Sequence, residues 1–275
     1  NSPPSNVKEC PELGPDEPAR ILAGGLDKLD LSLYVRWQNT AFMEKLAEAK
    51  ARARLSQESE PIILGEEDAG AMVFDVKPFG VQGHEWVIEN LDFSATFGNW
   101  MEPMQRPSVS VSIRSEALWR YGVDGTLDRV LSMVRLFGGE VEAVKVSRVD
   151  LCVDLLIREH DWHRDLKNQF VTRARKRATY EEADALTGFS VGSGNVAARL
   201  YDKPLEIARK SAKWWMFDIW GIDGVPEQHR VIRVEFQCRR ECIKSLGIDT
   251  LGDLLEQIAG VWAYCTQKWL RLVVD

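Results

Sequence analysis

The sequence is short of the usual devices for covalent or metal stapling. Its five cysteines, Cys10, Cys152, Cys238, Cys242 and Cys265, include no C-x-x-C pair, which excludes the common zinc-finger and dithiol spacings. The odd count argues against a disulfide framework. Cys152 and Cys238 sit in apolar runs, where a free thiol serves as a small core residue. A reducing, cytoplasmic setting is expected. There are only four histidines, and HDWH (160–163) has no third ligand beside it, so surface or helix-start chemistry is its reading. No apolar run approaches the roughly 20 residues that span a bilayer, and no signal-peptide pattern opens the chain. No membrane partner is expected. The chain begins at Asn1 rather than Met and is expected to be part of a longer one.

Positive charge is scarce overall. A net charge of −7 argues mildly against a nucleic-acid partner. The distribution softens that objection. Residues 1–100 hold 9 Lys and Arg against 17 Asp and Glu, whereas residues 158–247 hold 17 against 13. The cations gather in RARKR (173–177) and RVIRVEFQCRR (230–240). Two readings of these runs stay open: a solvated face, or a basic groove on an acidic body.

What is present reads as an ordinary globular α+β chain, 45% apolar and 28% charged over 275 residues. Residues 1–24, with Pro3, Pro4, Pro11, Pro15 and Pro18 and no periodicity, read as a flexible leader. Alternation predicts strands over 25–37, 71–76, 84–89, 91–97 and 107–114, with helices over 42–55 and 116–138, the latter interrupted near Gly122. The order then repeats: a strand over 144–157, a basic helical stretch over 160–177, and strands over 188–193, 198–203 and 230–238. Residues echo as well. Lys28 to Leu33 lines up with Arg148 to Val153, and VSVSIRSEALWRYG (109–122) lines up without a gap on VEFQCRRECIKSLG (234–247). The expected fold is two related β-α-β-β-β-α halves with mostly antiparallel sheets covered by helices around a pseudo-twofold axis. Residues 25–140 form the first, non-catalytic half and residues 141–275 the second, which carries the active site.

Candidate chemistry concentrates in that second half. In SRVDLCVDL, strand alternation puts Arg148, Asp150, Cys152 and Asp154 on one face and apolar residues on the other. Carboxylates so close repel unless a cation sits beside them, either an arginine or a divalent ion on oxygen ligands. Arg233 and Glu235 share a face in RVEF. The first half has Tyr34 and Ser110 where the second has Asp154 and Glu235, so one half alone keeps three acids. ARLYDK sets Tyr201 between Arg199 and Lys203 on one strand face. Flanking cations favour the ionised phenol, and tyrosine can form covalent intermediates. A packed sheet-edge tyrosine with solvated neighbours is the plainer alternative. Trp214, Trp215 and Trp220 follow, able to stack on unpaired bases or to fill the core.

Together GLDKLDLSLYV, SRVDLCVDL, GSGNVAARLYDKPLE and VIRVEFQCRRE, in this order over roughly residues 25–247, resemble the Rep_trans family of rolling-circle replication initiators. That family includes plasmid initiators, filamentous-phage replication proteins and conjugative relaxases. The resemblance implies a DNA nickase and strand transferase. A tyrosine attacks an origin phosphodiester with help from Mg²⁺ or Mn²⁺, leaving a free 3′-OH and a 5′-phosphotyrosine. Carried over, Tyr201 is the nucleophile with Arg199 and Lys203 beside it, and Asp150, Asp154 and Glu235 hold the metal. Arg148, Ser193, Arg173, Arg175, Lys176, Arg177 and Arg233 are the expected DNA contacts. The expected partners are origin DNA, a host helicase and polymerase, and a second copy of the chain. The sequence departs from the family in its acidity and in Ala198, where some members carry another tyrosine.

Other tyrosine or nicking chemistries fit less well. The histidine-paired endonucleases need H-x-H, which is absent. Tyrosine recombinases and type IB topoisomerases work without metal, and the acidic strand speaks against them. The competing reading from another class is a non-catalytic DNA-binding or regulatory protein on the same scaffold, marked by salt-sensitive binding without cleavage.

Overall fold

A computed structural model describes residues 12–65, 70–81 and 83–273 of the chain. Cys10 and the first eleven residues of the expected leader lie outside them. The fold is mixed α/β on a large antiparallel sheet. The described residues form two compact units: an α1 unit of residues 26–149 and 239–257, and a Tyr201 unit of residues 12–25, 150–238 and 258–273. Residues 239–257, expected in the second half, thus pack in the unit that carries most of the first. No helix among the described residues is long and apolar enough to cross a membrane.

The chain opens with β1 (Ala19–Trp37), which starts six residues before the expected strand. Prolines end at Pro18, and the following ARILAGG is free to join a ladder, so the end of the expected leader is strand. Then come α1 (Ala41–Ser56), β2 (Glu60–Leu64), β3 (Met72–Val76), β4 (Trp86–Glu89), β5 (Phe93–Phe97), β6 (Val109–Ile113), α2 (Ser115–Leu136) and β7 (Gly139–Arg158). In the α1 unit the strand order is β2-β3-β4-β5-β6-β1-β7. Alternation sorts the two faces. Leu29, Leu31, Leu33 and Val35 of β1 are buried, and Leu31 pairs with Val111, which pairs with Ala95. Phe42, Leu46, Ala49 and Ala53 give α1 an i, i+4, i+7 stripe that is buried too. Trp37 stacks on Phe42 at 3.9 Å. As expected, α2 is broken at Gly122, whose φ of 70° glycine tolerates without strain.

The Tyr201 unit orders its strands β7-β12-β11-β10-β9, with β9 (Arg177–Glu182), β10 (Ala185–Gly192), β11 (Val196–Asp202) and β12 (His229–Arg239). The basic stretch 160–177 is not the expected helix. It holds short 3-10 turns at Glu159–Asp161 and Arg164–Gln169, then β8 (Phe170–Thr172), a loop, and the start of β9. Trp162, Leu166 and Phe170 recur at i, i+4 spacing, yet they do not share a helix face. Trp162 and Phe170 instead both pack on Phe189 with ring centres 5.3 Å apart, which fixes the path between them. After β11 come α3 (Lys203–Glu206), a wide turn at Ile207–Ser211 and α4 (Trp215–Trp220). This segment buries Ile207, Met216, Trp220 and Ile222 against Leu156 of β7 and Val231 of β12. It therefore covers one end of a sheet face and leaves the other end open. The remaining elements are α5 (Arg240–Ser245), α6 (Leu251–Ala263) and β13 (Leu270–Leu272), which pairs with β8.

Candidate active site

The site lies on one face of the Tyr201 unit. Asp154 touches Arg233, and Arg199 and Tyr201 touch Glu235, so the polar faces of β7, β12 and β11 are the same face. The β11–β12 register sets Arg199 opposite Glu235 and Tyr201 opposite Arg233. Direct cross-strand pairing accounts for the Arg199–Glu235 contact, and Tyr201 reaches Glu235 along the diagonal, within range of a long aromatic side chain.

Tyr201 donates its phenolic O–H to Oε2 of Glu235 at 3.0 Å, and Arg199 Nη1 donates to Oε1 of the same carboxylate at 2.7 Å. Glu235 is 6% exposed, whereas the Arg199 side chain is 45% exposed. One of the five guanidinium donors goes to Glu235, and the group reaches solvent. The three residues line a groove of about 740 Å³ that also includes Tyr180, Ser190 and Lys210.

Lys203 is placed by a local device. Asp202 ends β11 and caps α3, its Oδ1 accepting the Leu205 N–H at 2.9 Å, with Pro204 in the first turn. Its Oδ2 accepts from Arg230 at 2.7 Å. The first helical residue, Lys203, turns inward. It is 2% exposed, pairs with Glu206 at 2.6 Å, and its ammonium lies 5.6 Å from the centre of the Tyr201 ring. Burial, aided by the nearby Arg233 charge, pushes the Lys203 ammonium below its ordinary value against the pull of Glu206. Lys203 thus acts on the phenol from behind rather than facing the groove.

The three acids expected to share a metal are divided. Asp154 is wholly buried and both its oxygens are taken by Arg233, through Nε and Nη2 at 2.7 Å each. The Trp220 indole N–H adds a third bond to Asp154 at 2.8 Å. Glu235 serves Arg199 and Tyr201, and Asp150 is buried on β7. Among the described residues no group of three or more His, Cys, Asp or Glu is arranged around a common ion position. As placed, the donor set does not fit a metal held jointly by Asp150, Asp154 and Glu235.

The expected DNA contacts separate in the same way. Arg173, Arg175, Lys176 and Ser193 line one groove of about 430 Å³ with Asn195 and Trp269. The three cations have no acidic partner among the described residues. Arg177 turns toward the carbonyl of Phe170 at 3.5 Å. Arg148 is half-buried and belongs to the α1 unit. Arg233, expected on the surface, is 0% exposed, and its guanidinium is spent on Asp154. Trp220 is buried behind that pair and Trp215 packs on the core beside it, while Trp214 is exposed.

Tyr180, Gly188 and Ser190 were missed in the sequence. Their one signal is the spacing of Tyr180 in RATYEE, which no apolar alternation supports. No protein-family model and no curated protein matches the chain.

Proposed function

We propose that the protein is a DNA nickase and strand transferase of the rolling-circle initiator type, with Tyr201 as its nucleophile. The observation that carries the reading is the Tyr201–Glu235–Arg199 arrangement at the groove. The phenolic proton already points at a carboxylate, so Glu235 is the proton acceptor when the phenolate oxygen attacks phosphorus. Arg199 meets the charge that gathers on the non-bridging oxygens. The buried Lys203 charge favours the phenolate. The new bond joins the tyrosine oxygen to phosphorus, the bond to the 3′ oxygen breaks, and that oxygen takes up a proton. The 5′ phosphate stays on the tyrosine. No step is routed through a metal, because Asp154 is closed by Arg233; a Mg²⁺ or Mn²⁺ requirement is a separate outcome of the test. Arg173, Arg175 and Lys176, which have no acidic partner among the described residues, support a DNA partner.

The proposed kinship of two halves has support in backbone detail. The aligned residues Arg114 and Arg239 are both extended at a strand-to-helix junction, with φ of −83° and −94°. The aligned Gly122 and Gly247 both have left-handed φ, 70° and 81°.

The test is a covalent-adduct assay on labelled circular and oligonucleotide single-stranded DNA with Mn²⁺, Mg²⁺ or EDTA. The wild-type chain is expected to form a protein–DNA adduct on denaturing gels, and Tyr201→Phe to form none. Adduct formation by Tyr201→Phe would move the nucleophile elsewhere. DNA binding in EDTA with no adduct under any condition would favour the non-catalytic DNA-binding reading.

A further inference from the structure

Across three strands of the Tyr201 unit, Tyr180, Gly188 and Tyr201 stand in one row. Gly188 of β10 pairs with Tyr180 of β9 on one side and with Tyr201 of β11 on the other. Residues directly opposite in antiparallel ladders project to the same face, so both phenols rise beside a position that has no side chain. That gap is enforced. A Cβ at Gly188 would lie 2.7 Å from the carbonyl oxygen of Leu200 and 3.0 Å from Cβ of Tyr201. Tyr180 is 54% exposed, and its hydroxyl meets Ser190 Oγ at 3.2 Å. Ser190 in turn sits opposite Arg199.

Two strand spacings separate the tyrosines, about 9.6 Å at the backbone. A flat ring seated over Gly188, where no side chain stands, would have one tyrosine on either side to stack on. We infer that Tyr180 and Tyr201 form the walls of a slot that takes one unpaired nucleobase beside the phosphate held at Arg199. The inference rests on the nickase reading for the identity of the ligand, but it concerns binding, not cleavage. A paired base cannot enter such a slot, because its face is covered by its neighbours in the duplex. The slot therefore selects single-stranded DNA at the nick site. Tyr180 is a positioning residue, since it touches no reacting atom.

The experiment uses the full chain carrying Tyr201→Phe, which keeps the ring and removes the proposed nucleophile. The probe is an oligothymidylate of about 20 nucleotides with a single 2-aminopurine, alone and as a duplex. Stacking in the slot is expected to quench the fluorophore on binding. Adding Tyr180→Ala should abolish the quench and weaken single-strand binding roughly 5- to 100-fold. Adding Tyr180→Phe should preserve both, and duplex binding should be the same for all three proteins. Equal affinity of the alanine variant and its parent would overturn the slot. So would an equal loss with phenylalanine, which would assign the effect to the hydroxyl, or an equal loss on duplex, which would assign it to the fold. A parent protein that binds no single strand overturns it as well. Quenching that depends on Tyr180, in a wild-type chain that forms no adduct, leaves the slot standing and removes the nickase.

Discussion

The two units solve the same problem, a polar sheet face, with different chemistry. In the α1 unit hydroxyls share the sheet with ion pairs that water still reaches, such as Lys28–Asp30 and Lys77–Glu89. Ser32 and Ser147 meet at 2.6 Å, Ser112 donates to Asp30 at 2.8 Å, and Ser115 donates to Asp27 at 2.8 Å. In the Tyr201 unit β7, β12 and β11 carry the ion pairs Asp154 with Arg233 and Glu235 with Arg199, and Lys203 of α3 pairs with Glu206. A hydroxyl bond contributes about 1 kcal/mol and costs little to bury. Each buried ion loses several kcal/mol of hydration that its partner must restore. The α1 unit keeps its ion pairs where solvent reaches them, whereas Asp154 and Arg233 are wholly buried. The Tyr201 unit thus keeps a costlier arrangement around its tyrosine, which under the proposed function belongs to the site.

The contrast breaks most readily at Arg233. Arg233→Met leaves the Asp154 carboxylate buried without a cation, and a loss of about 3–5 kcal/mol is expected in urea unfolding. The double variant with Asp154→Leu should recover most of it. A single variant no less stable than wild type would mean that the pair is not an electrostatic commitment. A smaller effect sharpens the same contrast from the other side. Ser32→Ala, which removes one hydroxyl from the α1 unit, should cost only about 0.5–1.5 kcal/mol by the same measurement.

The smallest expected effect is one of pH, and both units enter it. Lys50 donates to the carbonyl of Glu85 at 2.7 Å in the α1 unit, and burial lowers its pKa as it does that of Lys203. In each case the unfolded chain holds the proton up to the ordinary 10.5, while the folded chain releases it earlier. Between those two values the unfolded state binds more protons, so stability rises with pH through the window below 10.5. Below the lowered values the penalty is constant. Urea midpoints across the alkaline range should increase, and Lys203→Met and Lys50→Met should each flatten the rise. An unchanged slope in Lys203→Met would show that Glu206 holds the proton on the folded chain.

Much of the frame was legible. Strands such as PSVSVSIR and RVIRVEFQC alternate cleanly because one of their faces is core, and Gly122 announced the break in α2. RATYEE did not announce β9, because an edge strand facing solvent carries no apolar alternation. The basic stretch 160–177 looked helical by composition, yet its two anchors, Trp162 and Phe170, meet on a distant Phe189. Within the site, alternation grouped Arg199 with Tyr201, and the two meet on Glu235. Which acid serves which cation depends on the register between β11 and β12, and the 26 residues between Asp202 and His229 leave that register unspecified in sequence. The Arg233 pairing of Asp154 likewise depends on how β7 meets β12, which the sequence leaves open.

Tyr201 sits in an interior strand, laddered on both sides to Gly188 and Arg233, and the next residue is tied to Leu205 and Arg230. Its α-carbon therefore has almost no freedom to travel, and its amide should rank among the last of the chain to exchange with deuterium. Any adjustment needed for reaction falls to the substrate. Under the proposed function a flexible polymer would be led to a stationary phenol, so the entropy of assembling the encounter would be lost by the nucleic acid and hardly at all by the protein.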